Sequence, residues 1–508
     1  MKEDFKEDWL DVSLVKDLNY IKTGVENYES NKKYYSTGSI KNHSFIAEGS
    51  YNYSNRPSRA NRIGKLGDVL QARMKDTDKS VLIDVKFDQQ LFSTGFFQIR
   101  PKPETLLSKY IFYYFKSFLF LNEKDKNCSG STQSALNDKS AQKIIIPLAP
   151  IPIQKAIVKT TEELFSSLDR GITDLKKAKD QLIIYKEAVL KKAFEGELTK
   201  EWRKKQINLP SAEKLLKEIK EERQKHYEQK ILEWKEVVKV WEENGKEGKK
   251  PSKPRQIKIN AINDKENPFG NNSNWKWTTL DELTSIISDG PFGSNLKGND
   301  YIDSGVRVIR LENIKSLVFD NSKKSFVSKE KHQSIIRHTV LPGEIIFSTF
   351  IADTTKVTII PNVFDFAINK ADCVRIKPSL CVSNKYLLYY LASRITYTLL
   401  VNEVHGATRP RVNTTQLKKL QVPICSENEQ HQIVLEIESR LSVCDKVEEN
   451  IKESLQKAIA LRQSILKKAF EGKLLNAEEI KKCKADKDYE PASVLLERIR
   501  VEKLKIKK

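Results

Sequence analysis

Val189-Leu190-Lys191-Lys192-Ala193-Phe194-Glu195-Gly196 returns as Ile465-Leu466-Lys467-Lys468-Ala469-Phe470-Glu471-Gly472, 276 residues further along the chain. Near-identity at that separation marks an internal duplication. The same offset holds upstream without a gap. Lys109-Tyr110 answers Lys385-Tyr386, Tyr113-Tyr114 answers Tyr389-Tyr390, and Asn137 answers Asn413. Pro147, Gln154, Ile157-Val158 and Asp169 answer Pro423, Gln430, Ile433-Val434 and Asp445. The register returns at Gly67-Asp68-Val69 and Gly343-Glu344-Ile345, and Trp9 and Leu14 correspond to Trp275 and Leu280 after small indels. Residues 20–60 share almost nothing with 285–335, whereas 147–198 and 423–474 run nearly in step. Each half is a variable module followed by a near-constant one. In a binding protein that pattern means one architecture carrying two specificities.

The constant modules read as long helices. From Ile153 to Phe194 there is no proline, and only Gly171 interrupts. Ile157, Leu164, Leu168, Leu175, Leu182 and Val189 fall on a heptad seam among Lys, Glu and Asp. The second copy repeats it with Ile433, Ile437, Cys444, Val447, Ile451, Ala458, Leu461 and Ile465. About 40 residues of helix span roughly 60 Å. One apolar stripe per helix calls for a partner, and the other copy is the nearest one, so coiled-coil pairing is expected. The alternative is a lone amphipathic helix on a globule. Tyr227, Ile231, Trp234, Val238 and Trp241 mark a further helix between about 211 and 243, and residues 244–273 read as a Gly/Pro/Lys joint. Its shorter C-terminal counterpart, 491–508, carries Leu495-Leu496 where the first copy has Leu215-Leu216. In the variable modules Val81–Val85, Phe96–Ile99, Val306–Leu311 and Glu344–Ser348 read as strands, Leu107–Leu121 and Tyr386–Leu400 as helices.

The chain has 508 residues, too many for a single core. Its 89 Lys and Arg outnumber 68 Asp and Glu, a net charge of +21. A surplus of that size favours a polyanionic partner, since each neutralised phosphate releases counterions. Six cysteines show no C-x-x-C pair or zinc-ligand spacing and read as reduced thiols. The opening Met1-Lys2-Glu3-Asp4 is not a secretory signal, and the longest apolar run, Tyr110–Leu121, is broken by Lys116 and too short to span a bilayer. No membrane partner is expected. Catalytic motifs are missing too. Gly245–Lys250 lacks the spacing of a phosphate loop, no H-E-x-x-H occurs, and Asn267-Pro268-Phe269 lacks the second proline of an amino-methyltransferase loop. No catalytic residue and no metal ligand is assigned, and the chain is expected to catalyse nothing by itself.

Nucleic acid has candidate contacts. In the first module Arg56, Arg59 and Arg62, with Arg73 and Lys75, form an Arg-rich, turn-prone segment suited to phosphates and guanine edges, or else a plain basic loop. In the second, the loop Asp289–Lys297 offers Gly293, Ser294 and Lys297 for a close backbone approach to phosphate, or is a structural turn. Gly130, Ser131 and Thr132 match Gly406, Ala407 and Thr408, followed by Arg409 and Arg411. A glycine and a small hydroxyl ahead of each long helix suit a phosphate clamp, or simply the turn into the helix. The paired tyrosines read as core. For helix pairing or partner docking the candidates are Leu168, Leu175, Leu182, Val189, Phe194, Ile451, Leu461, Ile465 and Phe470. Trp234 and Trp241 either dock a partner or fold back on the central helices.

The variable–helix–variable–helix duplication, the repeated L-K-K-A-F-E-G-[EK]-L, and the G-[SA]-T…N…P…Q…I-V run before each helix resemble specificity subunits of type I restriction–modification systems. The resemblance covers essentially the whole chain. It implies an α+β fold with two target-recognition domains of mixed α/β character, separated by two long antiparallel coiled-coil helices with a pseudo-twofold. The segments would be recognition domain one at 1–150, a central helical region at 151–258, recognition domain two at 274–425 and a C-terminal helical region at 426–508. The resemblance also implies double-stranded DNA as ligand, read as an asymmetric bipartite target. Two DNA adenine methyltransferase subunits and restriction/translocase subunits would be partners. They, and not this chain, would carry S-adenosylmethionine, ATP and Mg²⁺, in a bacterial or archaeal cytoplasm. The competing class is a non-enzymatic coiled-coil scaffold or architectural DNA binder without sequence preference.

Overall fold

A computed structural model describes residues 6–41, 44–130, 134–254, 274–404 and 410–506. The chain forms two compact units, Met1–Lys177 with Asn450–Lys508, and Ala178–Glu449. These cut across the linear order of segments, because the helices Ile151–Phe194 and Glu427–Phe470, of 44 residues each, run through both. Each unit holds one recognition module, the start of the helix that follows it and the end of the other copy's helix.

In the first unit Leu10–Ser13 pairs antiparallel with Ile145–Leu148, tying the module's beginning to its end. One four-stranded sheet runs Tyr20–Ile21, Phe96–Ile99, Val69–Ala72, Ser80–Leu82. A second runs Gly49–Tyr51, Lys32–Tyr35, Leu91–Ser93, Ala60–Ile63, with Leu91–Ser93 parallel to Lys32–Tyr35. The second unit repeats the plan. Lys276–Thr279 pairs with Gln421–Ile424, and one sheet runs Thr284–Ser288, Cys373–Pro378, Ile345–Ser348, Val357–Ile359. The other has five strands, Tyr301–Ile302, Phe326–Val327, Val306–Ile309, Ala367–Asn369 and Thr339–Val340, again with one parallel pair, Val306–Ile309 on Ala367–Asn369. Topology therefore persists through 20–60 and 285–335, where sequence likeness is lost.

The conserved positions make the same bonds twice. Tyr110 Oη donates to Pro147 O and Tyr386 Oη to Pro423 O, both at 2.8 Å. Tyr114 and Tyr390 donate to Ile145 O and Gln421 O. Gln154 accepts from Leu107 N–H and donates to Ala149 O, and Gln430 does the same with Ser383 and Cys425. Lys109–Glu162 and Lys385–Glu438 are ion pairs of 2.6 Å. Gly67 and Gly343 adopt φ of 86° and 84°, and the carboxylate that follows each, Asp68 or Glu344, holds Arg100 or Arg375. At φ values in that region a Cβ is strained, which explains both glycines. Of the paired tyrosines Tyr114 and Tyr390 are core, as the sequence suggests, whereas Tyr113 and Tyr389 are half-buried and donate to Glu162 and Glu438.

The expected single helices 107–121 and 386–400 are each two. Ser108–Phe115 and Phe118–Lys126 break at Ser117, and Asn384–Ala392 and Arg394–Val401 break at Ser393. Each serine hydroxyl donates back to a tyrosine carbonyl at 2.6 Å and accepts the next helix's N–H, which ends one helix and caps the other.

Within each unit the two long helices pack antiparallel. In the first, Ile153 and Ile157 lie by Ala469 and Leu474, while Asp169 pairs with Arg462. In the second, Lys186 bridges Asp445 and Glu448 at 2.9 and 3.0 Å, while Thr199 and Arg203 reach Glu429. Lys186 and Asp169 stand at the repeat positions of Arg462 and Asp445, so the pairs are the same contact made twice. Leu168, Leu175 and Leu182 are half-buried and Val189, Ile451 and Ile465 buried. Leu164, Val447 and Leu461 correct the expectation: they face outward, Leu461 at 50% exposure. The inward steps fall instead on Phe165, Glu448 and Arg462, because alternate seam positions are polar or aromatic and leave no aliphatic mark.

Both long helices stop at a glycine, Gly196 with φ 78° and Gly472 with φ 74°, and the next N–H bonds back to Lys192 O or Lys468 O. Phe194 then inserts between Tyr386 and Tyr390, with ring centroids at 5.3 and 5.1 Å. Phe470 does so with Tyr110 and Tyr114 at 5.2 and 5.0 Å. The signature sequence is thus a plug: the end of each helix fills the aromatic core of the other copy's module. Leu215 and Ile219 of helix Ala212–Glu243 add to the second core, and Leu495, Leu496 and Ile499 to the first.

Candidate nucleic-acid interface

The Arg-rich segment of the first module divides sharply. Asn55 and Asn52 tie a turn, and Arg56 stacks on Tyr53 at 4.1 Å and donates to Tyr53 O and Ala60 O, so it holds its own loop. Arg62 is only 1% exposed, because alternation along Ala60–Ile63 points Ala60 and Arg62 inward. Its Nη1 donates to Ile21 O at 2.8 Å. Burial, with Arg73 beside it, lowers the Arg62 pKa to about 10. Arg73 donates to Phe96 O, Leu136 O and Tyr20 Oη and pairs with Asp138 at 2.7 Å. Burial pushes Tyr20 up to about 12. Burial works against the Asp138 carboxylate as well, but hydrogen bonds from Tyr20 and Arg73 bring it below its usual range. Arg62 and Arg73 thus brace the module from within, and Arg59 and Lys75 are the exposed cations of the set. Gly130 is exposed with φ 126°, beside the bridge between Ser129 and Ala135.

In the second module the Gly-rich loop stands open. Pro291 and Leu296 anchor it in the core, while Phe292, Gly293, Ser294 and Lys297 are exposed. Gly290 is obligatory for another reason: a Cβ there would lie 2.2 Å from the Lys370 carbonyl carbon. His338 Nδ1 meets Asp289 O at 3.0 Å and Arg337 Nε donates to His338 Nε2, fixing the loop's root. Burial first, opposed by the Asp289 carbonyl and aided by Arg337, depresses the His338 pKa. Arg411 is half-exposed, paired with Asp372 at 3.3 Å and stacked on Phe350. Ser131, Thr132, Gly406, Thr408 and Arg409 lie outside the described residues. Trp234 Nε1 donates to Pro251 O at 3.0 Å and Lys250 lies over Trp241, so the segment that follows the helix covers both rings.

Sequence reasoning missed Arg307. It lies on Val306–Ile309, buried at 5% exposure, where the apolar run gave no sign that a cation would sit in the core.

A family profile described as the type I restriction modification DNA specificity domain matches residues 11–183 and 272–457. The specificity subunit of the type I restriction enzyme EcoBI of Escherichia coli is 25% identical over 397 residues, 77% of this chain and 71% of that protein. That of EcoDI, also from Escherichia coli, is 24% identical over 403 residues, 79% of this chain and 78% of the relative. Among solved structures, the HsdS subunit from Thermoanaerobacter tengcongensis superposes with a TM-score of 0.52 at 17% identity, covering 92% of this chain and 98% of that one. A chain from a study of the assembly and conformational transition of the type I R-M system gives 0.60 at 16%, with the same coverage. Twin modules, twin helices and a profile spanning both copies place this chain in the family of type I restriction–modification DNA specificity subunits.

Proposed function

We propose that this chain reads a bipartite, asymmetric DNA target, one half-site per module, and leaves the chemistry to partner subunits. The observation that carries the reading is the pairing of one scaffold, bonded alike twice, with two modules whose sequences differ. Arg59 and Lys75 in the first module, and the loop Gly293, Ser294 and Lys297 with Arg411 in the second, are the described candidates for contact. The two half-sites therefore differ.

Two copies of one methyltransferase are the proposed partners, joined by restriction/translocase subunits for cleavage. Support comes from repeat-equivalent apolar side chains that are about half exposed or more: Ile183 and Tyr185 in the second unit, Ile459 and Leu461 in the first. Equal patches suit equal subunits. S-adenosylmethionine, ATP and Mg²⁺ belong on those partners in this reading, and the complex acts on DNA in a bacterial or archaeal cytoplasm. Among the described residues no helix is long and apolar enough to cross a membrane.

Methylome sequencing of a host carrying the system reads out the target. Replacing residues 1–150 with another family module should change one half-site and leave the other; a change in both refutes the modular reading. Inserting about four residues, roughly one helical turn, into the helix 151–194 should alter the gap and neither half-site.

A further inference from the structure

The second unit has a half-open pocket of about 400 Å³ whose lining includes Arg307, Asn321, Lys324, Phe326, Lys329 and Phe366. Arg307 is the unusual member. Its Nη2 donates to Lys323 O at 2.7 Å and reaches Asn321 Oδ1 at 3.4 Å. Nε and Nη1 are buried and have no hydrogen-bond partner. The ring of Phe326 lies 5.7 Å from the guanidinium, and no carboxylate pairs with it among the described residues.

A guanidinium keeps its proton in a protein, and only the more distant charge of Glu312 offsets the burial of Arg307, which is costly unless something else supplies a direct partner. The cavity is where that something would enter. Lys324 and Lys329 are exposed and add positive charge, against Asp365 as the acidic lining residue. Phe326 and Phe366 add flat apolar wall. Anionic and apolar needs meet in one small space, and a phosphate carried on a sugar satisfies both.

We propose that this cavity seats one backbone phosphate of the DNA, with its deoxyribose, in the second module. Arg307 donates to a phosphate oxygen, Lys324 and Lys329 close over it, and Phe326 and Phe366 flank the sugar. The contact rests on the reading of the chain as a DNA reader and gives it a fixed point: it sets register on the duplex without reading a base. On the strand of the first unit with the corresponding parallel partner, Lys32–Tyr35, Lys32 is half-buried and Lys33 exposed.

The test uses the full chain assembled with its methyltransferase partner on a duplex bearing the target. Phosphates are replaced one at a time by uncharged methylphosphonate, and affinity is mapped by position. Wild type should lose roughly tenfold or more at one phosphate beside the second half-site, the worth of a charged hydrogen bond. Arg307→Met should bind the unmodified duplex weaker by a similar factor and be indifferent to methylphosphonate at that position alone. Its log–log salt slope should fall by about one. A variant map that keeps every wild-type penalty overturns the proposal.

Because Arg307 is buried, the double variant Lys324→Gln/Lys329→Gln is made in parallel, with melting curves for both. It should blunt the same position and flatten the salt slope by no more than about one, because a single phosphate is at stake; a wild-type map and slope overturn the contact. Titration with inorganic phosphate alone is the last arm. Saturable binding that Arg307→Met abolishes, with the DNA map unchanged, would assign the cavity to the free ion. Wild type that binds no duplex at all would instead overturn the DNA reading itself, and this contact with it.

Discussion

Glu429 is fully buried in the second unit, and its Oε1 accepts from Arg203 Nε and Thr199 Oγ1, both at 2.8 Å. At the repeat position the first unit has Ile153, also buried. The first unit therefore has an apolar residue where this carboxylate stands, with Glu479 at the position of Arg203. Arg203→Met should strand a carboxylate away from water and cost about 3–5 kcal/mol. Arg203→Met with Glu429→Ile removes both charges together, and should range from neutral to about 1–4 kcal/mol more stable than wild type. The coupling between the two sites is then about 3 kcal/mol or more, well outside the scatter of independent mutations. A chain of two units does not melt as one, so a single midpoint is the wrong readout. Hydrogen exchange across 427–449 under rising denaturant reports the affected region directly. Should the single variant cost under about 1 kcal/mol, or the double variant cost as much as the single, the buried pair is not what its geometry implies.

Two further outcomes concern the second module. The His338 pKa is depressed by burial, so its neutral form belongs to the fold: that stability is present above the ordinary value of 6.5 and is lost as pH falls through the lower folded value. Binding at the second half-site should weaken on acidification below about pH 6.5, and His338→Gln should flatten that dependence; a wild-type profile in the variant would refute it. Gly290→Ala drives a methyl into the Lys370 backbone and should displace the loop 291–297. Footprinting should then lose the second half-site and keep the first.

The duplicated bonds explain why so much was legible. Tyr110, Gln154, Gly67 and Asn137 recur because each makes a bond the scaffold needs twice, and a fixed offset exposes them without any structure. Asn137 and Asn413 both cap a short helix through Ser140 N–H and Gln416 N–H. What lay hidden was of another kind. Arg62 and Arg307 read as surface cations or as nothing at all, since short strands without clean alternation do not declare which way a side chain points. Lys124, fully buried on Met74 O and Thr77 O where the second copy has Leu400, likewise gives no sign in sequence. The outward turn of Leu461 was masked because Arg462 occupies the seam position beside it. The parallel strand pairs join segments far apart in sequence, which local periodicity does not report.

The aromatic plugs carry a consequence for biosynthesis. The first unit takes Phe470, Leu495 and Leu496 into its core. Its cavity around Tyr110 and Tyr114 therefore stays unfilled while some three hundred and fifty residues, about twenty seconds of translation or more at ordinary rates, are still to be made. The second unit has no such wait, because Phe194 is synthesised before the tyrosines that receive it. The half of the chain that leaves the ribosome first is the half that finishes last, and it is there that a nascent chain needs shelter from wrong encounters.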